Sequence, residues 1–154
     1  MRRTLALLLA ALATGPVAAA DVTLAGGWAG ETLPGMTMSA AYLQVRNDGD
    51  MPVTLVAATS PAARQVTVHR TRLEDGISRM EKAGPLTIAP GETLTMRPGG
   101  LHLMVAIADA PLRAGEALPV ALEFADGTRV TGRLPVRRPG AGAGDGAHEH
   151  HHHH

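Results

Sequence analysis

Two imidazoles and six thioethers lie in residues 21–136: His69 and His102, with Met36, Met38, Met51, Met80, Met96 and Met104. Four of them are spaced as a set. Ten residues separate His69 from Met80, twenty-one separate Met80 from His102, and one separates His102 from Met104. Neutral imidazole nitrogen with uncharged, soft thioether sulfur favours Cu(I) and discriminates against Zn(II), Mg(II) and Ca(II). A thioether cannot be lost to disulfide formation in an oxidising compartment, although sulfoxidation remains its weakness. The chain has no cysteine, and a blue-copper electron carrier needs a thiolate. The chemistry expected of this set is therefore reversible binding of Cu(I) without redox turnover. Met36 and Met38 repeat the i, i+2 spacing ahead of a predicted strand. They read as packing residues, with an auxiliary soft-metal site as the alternative; Met51 and Met96 read as packing or surface.

Strands must carry these ligands. Short apolar or alternating runs recur every ten residues or so, punctuated by Asn47-Asp48-Gly49-Asp50, Asp75-Gly76, Ala89-Pro90-Gly91, Pro98-Gly99-Gly100 and Asp126-Gly127. The runs predict ten strands: Val22–Trp28, Ala40–Asn47, Val53–Ala58, Gln65–Thr71, Ile77–Lys82, Leu86–Ile88, Glu92–Arg97, Leu101–Ile107, Ala117–Phe124 and Arg129–Pro135. Many short strands at this spacing predict an all-β antiparallel sandwich in one domain. The Asp126-Gly127 pair marks the clearest hairpin. Pro61-Ala62-Ala63-Arg64 suits one turn of helix, and no longer helical period is found. On a strand, His102 and Met104 share one face because side chains alternate with period two. His69 and Met80 fall on two other strands, which Greek-key packing can bring beside that face.

Residues 1–20 read as an export signal: Arg2 and Arg3, an apolar stretch from Leu5 to Ala13, and Ala18-Ala19-Ala20 as a cleavage site. The stretch is too short to span a bilayer. Cleavage after about Ala20, by a Sec or a twin-arginine route, places the domain of residues 21–136 in a periplasm with no membrane span. Residues 137–154 form a Gly/Ala-rich tail that ends in His148, Glu149, His150, His151, His152, His153 and His154. That run is either a native metal-binding tail, suited to Cu(II), or an appended purification tag. Lys+Arg and Asp+Glu both total 14, so no basic field exists to hold nucleic acid. Trp28, Tyr42 and Phe124, the only aromatics of the Phe, Trp and Tyr class, leave no base-stacking platform. No Ser/His/Asp arrangement, paired carboxylates or phosphate-cradling glycine loop points to catalysis. A carrier is expected rather than an enzyme, with a copper redox enzyme and a structural or adhesive sandwich as rivals.

The four spaced residues resemble the signature of the periplasmic copper chaperones called PCuAC, His-x10-Met-x21-His-x-Met, with both long gaps intact. Ala40-Ala41-Tyr42-Leu43 followed by Asn47, Ser60-Pro61-Ala62-Ala63 and Pro98-Gly99-Gly100-Leu101-His102-Leu103-Met104 are also similar to that family. The likeness covers about residues 21–136. It implies a cupredoxin-like Greek-key β-sandwich that holds Cu(I) through His69, Met80, His102 and Met104. It further implies delivery of copper to the dinuclear copper centre of cytochrome oxidase, directly to the oxidase copper subunit or by way of a Sco-type protein. A monomer is expected. Some relatives add a Cu(II) site on a His- or Met-rich tail, as the run from His148 to His154 would.

Overall fold

The computed structural model describes residues 21–138. Ten strands follow in chain order: β1 (Val22–Gly30), β2 (Met38–Asn47), β3 (Val53–Thr59), β4 (Ala63–Glu74), β5 (Ile77–Lys82), β6 (Leu86–Ile88), β7 (Thr93–Thr95), β8 (Leu101–Ile107), β9 (Ala117–Phe124) and β10 (Arg129–Arg137). Among the described residues there is no helix. The expected helical turn at Pro61 is instead a tight turn. Ala62 donates to the Ser60 hydroxyl and Ala63 to the Ser60 carbonyl, and Ala63 already begins β4.

Hydrogen bonding runs along the path β5-β4-β8-β2-β1-β10-β9-β3-β6, with β7 added to β2. Every pair is antiparallel except β1 with β10, where Ala29 faces Val136 and Gly30 faces Arg137 in parallel. That junction joins two layers, β5-β4-β8-β2-β1 and β10-β9-β3-β6. The chain crosses between them after β2, β3, β5, β6 and β8. Alternation supplies the shared core. Ala41, Leu43 and Val45 of β2 and Leu103, Val105 and Ile107 of β8 meet Val53 and Leu55 of β3, Leu118, Val120, Leu122 and Phe124 of β9, and Leu134 and Val136 of β10. Burying such side chains contributes about 1.5–3 kcal/mol each for the larger ones. This is the cupredoxin-like β-sandwich.

One polar group is fully enclosed at an end of this core. The Asn47 side chain donates to the carbonyls of Met51 and Ile88 and accepts from the Gly49 N–H. Its backbone pairs with Glu92 and Gly91. Asn47 thus closes the turn after β2 and ties it to β6 and the β6–β7 connection, satisfying a buried amide that would otherwise be costly.

The β4–β5 hairpin is the other feature that matters for the site. Asp75 and Gly76 both have positive φ, 51° and 77°, as a two-residue type I′ turn requires. The turn sets the register in which Glu74 faces Ile77 and Thr71 faces Met80. A slip by one residue would send Met80 to the opposite face.

Candidate metal site

His69 and His102 stand directly opposite each other on the neighbouring strands β4 and β8. Opposed residues of an antiparallel pair project to the same side, and the two ring centroids are 6.0 Å apart. Met104 follows two residues after His102, facing Thr67 of β4, and so shares that side. Met80 lies on the edge strand β5, where it faces Thr71, two residues beyond His69. It is therefore one step diagonal to His69 on the same face, and the residue is 57% exposed. All four residues singled out by spacing occupy one face of three adjacent strands. That face is the outer one, since Leu103 and Val105 between and beside them point into the core.

An outer-face imidazole would ordinarily be solvated, yet His102 is only 4% exposed. His69 covers it from β4 and Tyr42 from β2, the Tyr42 ring centre lying 6.4 Å away. Tyr42 is in turn backed by Trp28, its partner on β1, with ring centroids 4.8 Å apart.

Hydrogen bonds dispose the two rings differently. His102 Nδ1 lies 3.0 Å from the Gly100 carbonyl. A carbonyl only accepts, so Nδ1 carries the proton and Nε2 keeps its lone pair for another partner. The Gly100 carbonyl also accepts from the Thr71 N–H at 3.1 Å. The Pro98-Gly99-Gly100 turn thus orients His102 and ties β8 to β4, the arrangement that fixes a ligating imidazole. His69 Nδ1 is buried with no hydrogen-bond partner. Leaving such an atom unpaired costs about 1–3 kcal/mol, and a bound cation would satisfy its lone pair.

Burial pushes the His69 imidazole below its ordinary value, helped by His102 and by Lys82, which faces His69 from β5. With the folded value depressed, the unfolded chain binds the extra proton first as pH drops. The stability contribution is full above about 6.5, the unperturbed histidine value, and is lost as pH falls from there through the lowered folded value. The denaturant midpoint of the metal-free chain is expected to drop over that window, and His69→Gln should flatten the drop. An unchanged slope in His69→Gln would contradict the assignment.

Spacing alone did not point to Tyr42, Trp28, Lys82 or the Gly100 carbonyl as neighbours of the site. The alternation of β2 already places Tyr42 on the face of Ala40, but only the β2–β8 pairing, with Ala40 opposite Met104, shows which neighbour that face serves. Met38 opens β2 opposite Ala106 on this same outer face, and Met36 sits in the preceding turn, its N–H donating to the Leu33 carbonyl. Neither is a core residue: both are exposed. His148, His150, His151, His152, His153 and His154 lie outside the described residues. Among the described residues no group of three or more His, Cys, Asp or Glu side chains converges. A metal held on this face would therefore draw on sulfur as well as nitrogen.

The architecture is that of the PCuAC domains. A copper-bound PCuAC domain from PmoF2 superposes with a TM-score of 0.64 at 26% identity, covering 79% of this chain and 97% of that one. The Cu(I) form of DR1885 from Deinococcus radiodurans superposes at 0.62 with 30% identity, covering 79% of this chain and 82% of that one. Residues 22–136 match the family "Putative lipoprotein LpqE-like", and the chain belongs to that family. "Putative lipoprotein Lxx21020" of Leifsonia xyli subsp. xyli (strain CTCB07) is 38% identical over 104 residues. The match spans 67% of this chain and 63% of that relative's length.

Proposed function

We propose that this protein is an exported Cu(I) carrier that binds one cuprous ion through His69, Met80, His102 and Met104 and passes it to an acceptor protein. The observation that carries this reading is the cross-strand histidine pair. Two imidazoles face each other on the outer surface, one oriented by a carbonyl and the other holding a buried, unpartnered nitrogen. Thioethers flank the pair on both sides. Copper in the PmoF2 domain and Cu(I) in DR1885, both sharing this fold, support the choice of metal.

Neutral ligands suit a carrier. No thiolate bond has to be broken on release, and the exposed Met80 is the ligand an acceptor reaches first. Exchange begins there, while His102, the most enclosed donor, is displaced last. The export reading draws on residues 1–20 and on the lipoprotein names of the relatives. Among the described residues no helix is long and apolar enough to cross a membrane. The acceptor that the PCuAC resemblance implies is the oxidase copper subunit or a Sco-type protein, the cargo being destined for the dinuclear copper centre of cytochrome oxidase. The imidazoles of His148–His154 suit Cu(II), which would need an external electron donor before it entered the Cu(I) site.

Copper stoichiometry tests the reading. A chain ending at Arg138, which lacks the terminal histidines, is expected to retain one tightly held Cu(I) under reducing conditions. No retained copper would instead support a structural sandwich, and steady-state oxidation of a dye by the loaded protein would support an enzyme.

A further inference from the structure

Met104 faces two ways. Besides flanking His102, it lines an open cleft of about 350 Å³ on the outer face, together with Met36 and Met38. Met38 and Met104 sit diagonally on the paired strands β2 and β8, opposite Ala106 and Ala40 respectively. Two alanines at these positions leave room between the strands for long, flexible thioether side chains to approach each other. Met36 reaches the same cleft from the turn before β2. A methionine used for packing in this fold looks like Met96, which is 3% exposed; Met36 and Met38 are 49% and 38% exposed. Neither is used as core, and both line the cleft.

The remaining lining favours soft over hard cations. Trp28 and Tyr42 form an apolar wall. The Ser39 hydroxyl donates to the Gly30 carbonyl at 2.6 Å. The Glu31 carboxylate accepts from the Ala114 N–H and pairs with Arg138. The Ser39 and Glu31 side chains are thus engaged, and beside the Tyr42 hydroxyl the cleft offers three uncharged sulfurs as donors. Such a set selects a soft monovalent cation.

We propose that Met36, Met38 and Met104 form a second, all-thioether site for a soft monovalent metal ion, contiguous with the four-residue site through Met104. An ion held by Met104 exchanges the Met36 and Met38 sulfurs for the His69 and His102 nitrogens, one ligand at a time. Its charge is unchanged and no electron moves. The cleft is the side from which the metal arrives, whereas release to an acceptor begins at Met80 on the β5 side. The second site itself shares only Met104 with the four-residue site, while the hand-over to His69 and His102 rests on the four-residue reading.

Ag(I) is the probe, because it is soft, monovalent and not oxidised under the conditions of titration. It is added to the full chain carrying 13C-methyl-labelled methionine, in the unmodified form and as His69→Ala/His102→Ala. In the histidine variant at Ag(I) saturation, the methyl signals of Met36, Met38 and Met104 are expected to move, while those of Met51 and Met96 stay. Adding Met36→Leu and Met38→Leu, which conserve volume and apolar character, should weaken the Met104 response at least tenfold. Stationary Met36 and Met38 signals at saturation would overturn the proposal, as would a Met104 response indifferent to the two leucines. In the unmodified chain the His69 and His102 ring signals report the four-residue site separately, so failure there leaves this result standing.

Discussion

His69→Ala and His102→Ala are each expected to lower Cu(I) affinity by at least about 100-fold, with the β-sheet circular dichroism unchanged. Loss of hydrogen-bond partners one shell beyond a metal already costs about 10–100-fold, so removal of a ligand itself should cost no less. The fold tolerates both changes because neither ring belongs to the core: Leu103, between the outer-face residues of β8, points inward and His102 does not. His102→Ala should have the larger effect, since its ring is the one pre-oriented by the Gly100 carbonyl. Met104→Ala should weaken binding as well. Met80→Ala should weaken it least, because its exposed side chain must give up freedom to reach the ion. Loss of sheet structure in both histidine variants would assign the pair to folding rather than to metal.

The second large effect lies in the backbone behind the site. Gly27→Ala is expected to destabilise the chain by about 3 kcal/mol or more, combining overpacking with an unfavourable φ. A Cβ at Gly27, whose φ is +153°, would collide with the Tyr42 carbonyl oxygen and lie 2.8 Å from Leu43 Cα, so backbone must shift rather than a side-chain tip. The neighbouring Gly26 has φ +124° but nothing within 4 Å of an added Cβ. Gly26→Ala should therefore cost only the conformational share, about 1–3 kcal/mol. Thermal or denaturant unfolding of the two variants separates them. Gly27→Ala should also weaken copper binding, because it displaces the stretch that holds Trp28 on Tyr42 and Tyr42 over His102. Equal stability of the two variants would show that β1 can move away from β2 at little cost.

Much of this arrangement was legible in the residues themselves. Strand positions followed from alternation and turn chemistry: Asp75-Gly76 does form the turn joining β4 and β5. Asp126-Gly127 does lie in the β9–β10 connection, where Thr128 N–H donates to the Asp126 carboxylate. The shared face of His102 and Met104 needed only the two-residue period of a strand. What alternation does not encode is which strands become neighbours. The pairing of β4 with β8 sets His69 opposite His102, and it is decided by long-range packing rather than by any local signal. The parallel β1–β10 contact escaped for the same reason, since local turns announce only antiparallel neighbours. The segment at Pro61 misled because Pro-Ala-Ala-Arg suits a helix start, while the Ser60 side chain and carbonyl capture the next two N–H groups in a turn. Met36 and Met38 read most simply as packing, because a methionine's exposure is a property of the assembled sheet.

Under the proposed function, two nitrogens and two sulfurs from three strands converge on one cuprous ion. X-ray absorption at the copper edge, on the chain ending at Arg138 loaded with one equivalent of Cu(I), tests it most directly. The expected first shell holds two imidazole nitrogens and two thioether sulfurs, with the sulfur contribution reduced in Met104→Ala. A shell of nitrogen and oxygen alone, or one unchanged by Met104→Ala and His102→Ala, would contradict it.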